Sequence, residues 1–221
     1  MSKNNEITIR DERIAETLSP FGVHPSSDQI SKIRDYLGIL LKWNNLIGLT
    51  SVSDPIEIVA RHFGESMFAS KLMSVENGRL ADVGSGAGFP GLALKILAQN
   101  LEVVLIESNR RKCAFLAEIV TSLGLAGVEV LPTRFEEVRA ESGLSDFVTA
   151  RAIGGFPKLL RWSKSVLSRR GHIILWIGGE DTTKVSATSG WTWRPAVRLP
   201  ESQRRFVLIG RPISQGRDAK C

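Results

Sequence analysis

The sequence predicts an α/β fold in which a mostly parallel, doubly wound sheet follows a helical N-terminal extension. Three observations lead to this prediction: helically spaced apolar residues before Asn77, alternating strand-like and helical runs after Gly78, and a glycine-rich turn between the first strand and the next helix. The 221 residues, of which 43% are hydrophobic and 24% charged, suffice for one such domain with an appendage. This composition excludes a disordered, collagen-like or fibrous chain.

Two helices are predicted before the sheet. Between Ser27 and Leu46, apolar residues recur at three- and four-residue steps with charged residues between them, which is typical of a helix with one buried face. Asp54 and Pro55 supply an N-cap and a first-turn proline for a second helix, which we expect to run to about Met73. Residues 1–77 are therefore expected to form a helical extension packed on the main domain.

The alternating pattern defines the main domain, which we expect to span residues 78–211. Its predicted strands are residues 80–83, 101–107, 128–131, 146–150 and 172–177. Its predicted helices are residues 90–98, 109–123, 136–141 and 156–167. Strands separated by helices imply right-handed crossovers and parallel pairing.

A different pattern follows the last parallel strand. Gly178 and Gly179 lead into an expected polar loop. Two strand-like runs at 191–199 and 205–209 are expected to pair as an antiparallel hairpin at the sheet edge. Residues 212–221 are expected to form a flexible tail.

The positive charge of the chain is concentrated in its C-terminal third, although the whole chain carries a formal net charge of only +6. Residues 1–150 contain 15 Lys and Arg against 19 Asp and Glu, a net charge of −4. Residues 151–221 contain 14 against 4, a net charge of +10. This asymmetry predicts an anionic partner, with nucleic acid as the first choice and an acidic membrane surface as the second.

Cysteine content and apolar runs indicate the compartment. Cys113 and Cys221 are too few for a secreted disulfide framework, and the N-terminus lacks the apolar run of a secretory signal. No apolar stretch approaches the roughly 20 residues that span a bilayer. We therefore expect a soluble cytoplasmic protein that is not associated with a membrane.

The strongest chemical signal is a glycine-rich turn at residues 80–91, whose sequence is LADVGSGAGFPG. Gly84, Gly86 and Gly88 allow left-handed backbone angles and the close approach of a ligand, and the following helix offers free N–H groups. A lone turn of this kind is more often structural than functional. Phe89 in particular has a second interpretation as an ordinary core aromatic.

Three details favour S-adenosylmethionine over NAD as the ligand of this turn. The dinucleotide fingerprint Gly-x-Gly-x-x-Gly would place its third glycine at position 89, where this chain has Phe. Asp82, two residues before Gly84, would repel a pyrophosphate but attract, directly or through water, the ammonium group of a methionine moiety. Glu107, 19 residues after Gly88, closes the next strand and is placed to accept hydrogen bonds from both ribose hydroxyls.

Residues that follow the later strands are further candidates, because ligands of an open parallel sheet lie outside the carboxyl ends of its strands. After the third strand, Phe135 is placed to face the adenine, and Glu136 or a nearby backbone amide to meet its exocyclic amine. After the fourth strand, Arg151 puts a cation beside cofactor and substrate. Ordinary alternatives are a helix N-terminal carboxylate for Glu136 and a surface ion pair for Arg151.

Several motifs together resemble a known family. The matching segments are WNNLIGLTS at residues 43–51, RHFGES at 61–66, DVGSGAGFPG at 82–91, RFEE at 134–137 and RA at 151–152. In this combination the chain is similar, over about residues 26–180, to the bacterial methyltransferases of the small-subunit ribosomal RNA G type, which modify guanine N7 in 16S ribosomal RNA. The glycine loop followed by Phe-Pro-Gly and preceded by an Arg-His helix is not a general methyltransferase pattern.

The resemblance implies a Rossmann-like, S-adenosylmethionine-dependent methyltransferase with a helical N-terminal extension, acting on 16S ribosomal RNA or a precursor of the small ribosomal subunit. A monomer without a metal ion is expected. The cofactor contacts that it implies are Gly84, Phe89, Phe135, Glu136 and Arg151. The positions that it places on the substrate side are Asn44, Arg61 and His62.

This chain departs from the family pattern at three positions. The family usually has Asn at the position of Gly48, Asp at Glu65 and Lys at Ile177. The changes at Gly48 and Ile177 affect the substrate side and leave open an alternative, a non-catalytic RNA-binding or ribosome-assembly factor on a methyltransferase scaffold. A nicotinamide-dependent oxidoreductase is the third alternative, which Phe89 disfavours. Methylation of guanine N7 removes no proton, so no catalytic acid or base is predicted.

Overall fold

The structure is a computed structural model, and it describes residues 9–139 and 145–213. Its helices before the sheet are α1 (Asp11–Leu18), α2 (Ser27–Ile47), α3 (Pro55–Ile58), α4 (Glu65–Met67) and α5 (Ala69–Leu72). Helix α2 begins with a capping box, in which the backbone N–H of Gln29 donates to the Ser26 hydroxyl and the Ser26 N–H donates to the Gln29 side chain. The predicted N-cap of α3 is confirmed, because the Asp54 carboxylate accepts from the Glu57 N–H at 2.7 Å.

The prediction of one continuous helix from Asp54 to about Met73 is wrong. A π-helical segment, Val59–Gly64, separates α3 from α4. Gly64 lies against the ring of Phe21, where a Cβ atom would come within 2.5 Å of the ring. The backbone therefore approaches a buried aromatic side chain too closely for any residue other than glycine at this position.

The strands of the main domain are β1 (Gly78–Val83), β2 (Leu101–Ile106), β3 (Val128–Leu131), β4 (Ser145–Arg151), β5 (Leu167–Gly178), β6 (Trp191–Trp193), β7 (Val197–Arg198) and β8 (Arg205–Pro212). They form one sheet in the order β3-β2-β1-β4-β5-β8-β6, with β7 also paired to β8. The first five strands are parallel, as predicted. Strand β8 is antiparallel to β5 and carries β6 and β7 on its other side, so the predicted antiparallel pairing of the last strands is confirmed.

The helices between the strands are α6 (Gly91–Leu97), α7 (Arg110–Ser122), α8 (Phe156–Val166) and α9 (Gly179–Ser186). Helix α9 corrects the predicted polar loop after residue 179: Glu180 and Asp181 lie in its first turn, where carboxylates favour a helix, and Val185 is buried. Of the helix predicted at 136–141, the structure shows a 3₁₀ turn at Phe135–Glu137. Its end and nearly all of the predicted tail lie outside the described residues.

Two apolar layers cover the two faces of the sheet. One contains α6, α7 and the N-terminal helices, packed on alternate residues of the central strands. The other contains α8 and α9, packed on the intervening residues of the same strands. Because α1 and α2 share the first layer, the N-terminal helices lie directly against the glycine-rich turn that follows β1.

Candidate functional site

The glycine-rich turn leaves the carboxyl end of β1 and enters α6. Gly84, Gly86 and Gly88 have φ angles of +68°, +55° and +82°, in the left-handed region that favours glycine. The turn is fixed at both ends, because the Gly84 N–H donates to the Ile106 carbonyl at 2.8 Å and the Gly88 N–H donates to the Ser85 carbonyl at 2.7 Å. The predicted backbone conformation of this turn is confirmed.

Two of the glycines differ in what lies beside them. A Cβ atom at Gly88 would come within 2.2 Å of the Tyr36 hydroxyl oxygen and 2.8 Å of Leu92. A Cβ atom at Gly86 would meet only the Gly84 carbonyl oxygen, at 3.6 Å. Gly88 is therefore required by packing, whereas the Gly86 side of the turn has room for a ligand to approach the backbone.

Tyr36 of α2 supports this turn from below, and sequence reasoning missed it. It is fully buried and donates its hydroxyl to the Ala87 carbonyl at 2.6 Å. Its ring stacks on Phe89 with centroids 5.3 Å apart. A signal was present, since the only tyrosine of the chain falls on the apolar face of α2, where a buried phenol requires a polar partner.

Asp82, at the end of β1, is fully buried beneath the turn. Its carboxylate accepts from the Thr149 hydroxyl at 2.8 Å and from the Gly91 N–H at 3.3 Å. Burial raises the pKa of Asp82 to about 6, although these hydrogen bonds lower it. An ionised Asp82 therefore puts an anion under the turn at neutral pH.

Glu107 lies on the opposite side of the turn, directly after β2. One carboxylate oxygen accepts from the Gly86 N–H at 3.0 Å and the other from the Asn109 N–H at 2.8 Å. The structure thus brings Glu107 to the glycine loop, as the sequence predicted. Each carboxylate oxygen has a second lone pair with which to accept from a ligand.

The candidates after β3 occupy the same edge of the sheet. Phe135 and Glu136 lie in the 3₁₀ turn, and Glu136 is exposed. The Phe135 ring meets Trp162 of α8 edge to face, with centroids 5.4 Å apart. A half-buried aromatic ring and an exposed carboxylate thus extend the edge that Glu107 and the glycine loop begin.

Beyond β4 the structure places a buried ion-pair cluster that sequence reasoning missed. Glu65 is only 2% exposed, and its carboxylate accepts from Arg151 at 3.0 Å and from Arg205 at 2.6 Å. Trp176 of β5 donates its indole N–H to the Glu65 carbonyl at 2.7 Å. The available signal was the position of Glu65 between the apolar residues Phe63 and Met67. A carboxylate buried in such surroundings requires a cationic partner.

Arg151 and Arg205 are therefore held by Glu65. Arg151 does form an ion pair, but the pair is buried and does not lie at the surface as the ordinary alternative expected. Arg151 is also the residue at the carboxyl end of β4, beside the end of β1. The two arginines and one carboxylate leave a net positive charge at this end of the sheet.

The three predicted substrate-side residues lie close to this cluster. Thr50 connects two of them: its N–H donates to the Asn44 side chain at 2.8 Å, and its hydroxyl lies 2.8 Å from His62 Nε2. Arg61 precedes His62 in the π-helical segment and donates to Glu57 at 2.8 Å. The segment therefore places the His62 imidazole beside Thr50, next to an arginine that is ion-paired with Glu57.

His62 stacks on Phe89 with ring centroids 5.1 Å apart, so this imidazole extends the column formed by Phe89 and Tyr36. Burial, assisted by Arg151, Arg61 and Arg205, lowers the pKa of His62 to about 3. The imidazole is therefore neutral near pH 7, and the hydrogen bond and stacking fix its orientation.

The departures from the family pattern have structural counterparts. Gly48 ends α2 with a φ of +62°, so it acts as a helix C-cap. Ile177 is buried in the apolar layer under α8 and α9. Within residues 9–139 and 145–213 no helix is long and apolar enough to cross a membrane, and no three His, Cys, Asp or Glu side chains are arranged to hold a metal ion.

Comparison with known proteins gives a family match. The family model described as rRNA small subunit methyltransferase G matches residues 29–190. A ribosomal RNA small subunit methyltransferase G from Sorangium cellulosum is 35% identical over 184 residues, covering 81% of this chain and 77% of the relative. One of the same name from Herminiimonas arsenicoxydans is 34% identical over 196 residues, covering 84% and 88%.

Solved structures give the fold. A ribosomal protein L11 methylase from Lactobacillus delbrueckii subsp. bulgaricus superposes with a TM-score of 0.57 at 19% identity, covering 70% of this chain and 80% of that one. A precorrin-6y C5,15-methyltransferase from Geobacter metallireducens superposes with a TM-score of 0.55 at 16% identity, covering 67% and 87%. The predicted Rossmann-like methyltransferase fold is confirmed.

Proposed function

This chain belongs to the rRNA small subunit methyltransferase G family, and from that premise we propose that it transfers the methyl group of S-adenosylmethionine to N7 of a guanine in 16S ribosomal RNA. Family membership makes it a methyltransferase with S-adenosylmethionine as cofactor. It therefore argues against the alternative of a non-catalytic assembly factor. The arrangement of Asp82, Gly86 and Glu107 around one turn is the observation that carries the proposal.

The cofactor would lie across the carboxyl ends of β1, β2 and β3. Asp82 supplies the buried anion for the ammonium group, and the Gly86 side of the turn admits the methionine portion. Glu107 accepts from the ribose hydroxyls. Phe135 and Glu136 face the adenine. The order of these residues along the sheet edge supports each assignment.

The acceptor chemistry makes few demands on the protein. Guanine N7 carries an in-plane lone pair and no proton, and S-adenosylmethionine supplies an electrophilic methyl group. The protein must hold N7 in line with that group and exclude water. The neutral, stacked His62 fits a positioning role better than proton transfer, because its pKa of about 3 leaves it unprotonated near pH 7.

The substrate side carries the charge that RNA requires. Arg61, Arg151 and Arg205 attract the phosphates that flank the acceptor guanine, and Glu65 fixes two of them in place. Asn44 orients Thr50 and thereby His62. We further propose that the protein acts as a monomer in the cytoplasm, on the 16S RNA or a precursor of the small subunit.

Gly86→Asp tests the cofactor site. The new side chain would extend into the space beside the turn and put a second carboxylate near Glu107. We expect calorimetry to show no binding of S-adenosylmethionine, with the far-UV circular dichroism of the parent retained. Unchanged cofactor affinity would put the pocket elsewhere.

Mass mapping of small-subunit RNA tests the acceptor. RNA from a strain that lacks this protein is expected to have lost one 7-methylguanosine, which a plasmid-borne copy of the parent restores and the Gly86→Asp variant does not. An identical modification pattern with and without the protein would contradict the assignment to 16S RNA.

A further inference from the structure

The arginines of the basic C-terminal third lie at two opposite ends of β5. At the carboxyl end, Arg205 pairs in register with Gly178, beside the site described above. At the amino end, Arg169 and Arg170 lie near the start of the strand. Because β8 is antiparallel to β5, it returns to this end and places Arg211 there, next to Gly210, which pairs with Ile173.

Two cavities meet at Arg211. One, of about 660 Å³, is lined by Asp146, Ser168, Arg169, Arg170 and Arg211. The other, of about 460 Å³, includes Arg194 and Arg211 in its lining. All four arginines are exposed, and they define what we call the amino-end arginine surface: Arg169, Arg170, Arg194 and Arg211.

The positive charge of this surface is not neutralised by the described part of the chain. Asp146 lines the larger cavity, but its two carboxylate oxygens accept from the Arg79 N–H and the Ser168 hydroxyl, each at 3.0 Å. Among residues 9–139 and 145–213, no carboxylate lies within 4.0 Å of the four arginines. The guanidinium groups therefore keep their charge for an external anion.

The pKa of the neighbouring His172 is affected by the same positive charge. His172 lines the smaller cavity together with Arg194 and Arg211. Burial lowers the pKa of His172, and the charges of Arg194 and Arg211 lower it further.

The surface is too far from the glycine loop to belong to the same site. Arg170 and Gly178 are eight positions apart along β5, which at about 3.3 Å per residue corresponds to roughly 26 Å. A nucleotide in the methyl-transfer site cannot reach this surface, so an anion bound here must be another part of the same partner or a different molecule.

We propose that the amino-end arginine surface binds the phosphate backbone of ribosomal RNA outside the acceptor nucleotide. The proposal rests on the proposed function for the identity of the RNA. Exposed arginines in concave cavities fit a ridge of phosphates, since a guanidinium donates two parallel hydrogen bonds to one phosphate. Contacts of this kind position the RNA without recognising its sequence. A docking surface far from the acceptor nucleotide would have this role.

The test compares two triple variants of equal net charge. The first is Arg169→Ala with Arg170→Ala and Arg211→Ala. The control is Arg10→Ala with Arg13→Ala and Lys42→Ala, three exposed cations of the N-terminal helices. Circular dichroism and urea unfolding establish that both are folded.

Filter binding of 16S ribosomal RNA at 50 to 200 mM salt is then measured for both variants and the parent. The first variant is expected to bind at least tenfold more weakly at the lowest salt, and its slope of log affinity against log salt to be shallower by about 2, since each lost phosphate contact removes roughly 0.7 to 0.9. Its affinity for S-adenosylmethionine and its kcat at saturating RNA should match the parent. The control variant should keep the parent's slope.

Equal salt slopes in parent and first variant would overturn the proposal, as would equal weakening by the control. The proposal would also be overturned if the first variant no longer sedimented with phosphatidylglycerol vesicles, as the parent did, but kept the parent's affinity for RNA. That result would assign the surface to a membrane. Because the readout is RNA binding, the surface is judged independently of methyl transfer. If the parent bound RNA but made no 7-methylguanosine, the proposed function would fail while the salt slopes still decided the surface.

Discussion

The two ends of β5 use the same residue type in opposite ways. At the carboxyl end, Arg151 and Arg205 are fixed by the buried carboxylate of Glu65. At the amino end, Arg169 and Arg170 are exposed and have no carboxylate within 4.0 Å among the described residues. The arginines of the carboxyl end are held in fixed positions by a counter-ion, whereas those of the amino end have no counter-ion in the described part of the chain and give this end of the sheet a positive electrostatic potential. Substitutions at the two ends should therefore change different measurements.

The largest effect is expected at Glu65. Glu65→Gln would leave Arg151 without its counter-ion in a buried position, which we expect to lower the free energy of unfolding by roughly 3 kcal/mol. Urea unfolding measures it. Glu65→Asp, which keeps the charge, should lose much less.

The arginine variant of the amino end, measured alongside, should unfold within about 0.5 kcal/mol of the parent. If Glu65→Gln were equally harmless, the distinction between the two ends would be wrong.

A second effect is expected at the glycine loop. Gly88→Ala would force a methyl group against the Tyr36 hydroxyl at a φ of +82°, and we expect a loss of about 2 to 3 kcal/mol in unfolding free energy together with weaker cofactor binding. Gly86→Asp should lose cofactor binding with a smaller loss of stability. Differential scanning fluorimetry and calorimetry on the two variants separate support of the turn from contact with the ligand. Matching stability losses in both would contradict this division.

The pH dependence of cofactor binding is the next effect. Asp82 has a folded-state pKa of about 6, above its ordinary value of 3.8, so it becomes protonated and loses its charge as the pH falls through 6. Affinity for the ammonium group should therefore weaken below pH 6, approaching about tenfold per pH unit if the ionised form is required. His62, with its lowered pKa of about 3, should add no step near pH 6.5.

The contribution of Asp82 to the free energy of unfolding should move in the opposite direction. Since the folded protein binds the Asp82 proton more tightly than the unfolded chain does, the contribution of this group to stability rises as the pH falls from about 6 towards 3.8. Calorimetry between pH 5 and 8 measures the affinity. The difference in urea unfolding between the parent and Asp82→Asn measures the stability contribution, because the lowered pKa of His62 reduces the stability of both proteins below pH 6.5. In Asp82→Asn both contributions should vanish; a parent affinity that is flat across this range would exclude an ionised Asp82 from the site.

The smallest effect is expected at Gly48. Asparagine tolerates the left-handed conformation of this helix C-cap, so Gly48→Asn, which restores the usual family residue, should change the free energy of unfolding by less than about 1 kcal/mol. Any change in KM for RNA would then report a substrate contact rather than a folding defect. Urea unfolding checks the first statement, and a loss well above this limit would show that position 48 requires glycine.

Local patterns predicted most of the fold. The parallel strands and their helices follow from alternation and caps, and Asn109, for example, accepts from two N–H groups at the start of α7. The π-helical segment was missed because no local pattern marks it, and the close packing of its last residue, Gly64, against the distant ring of Phe21 is not visible in the sequence. Helix α9 was missed because its single buried anchor, Val185, gives little apolar periodicity.

The candidate site divides in the same way. Asp82, Gly86 and Glu107 could be predicted because each adjoins a strand end, and parallel strands bring their carboxyl ends to one edge. The cluster of Glu65 joins residues 86 and 140 positions apart in the sequence, and neither separation leaves a local pattern. Pairing across the fold, which decides whether an arginine is buried or exposed, is what the sequence alone does not specify.

The most direct test of the central claim is methyl transfer in vitro. The protein is incubated with methyl-labelled S-adenosylmethionine and small ribosomal subunits from a strain that lacks it, and the 16S RNA is digested to nucleosides for mass spectrometry. The predicted result is label in 7-methylguanosine with the parent protein and none with Gly86→Asp. Label in any other nucleoside, or no label from a protein that binds the cofactor, would contradict the account.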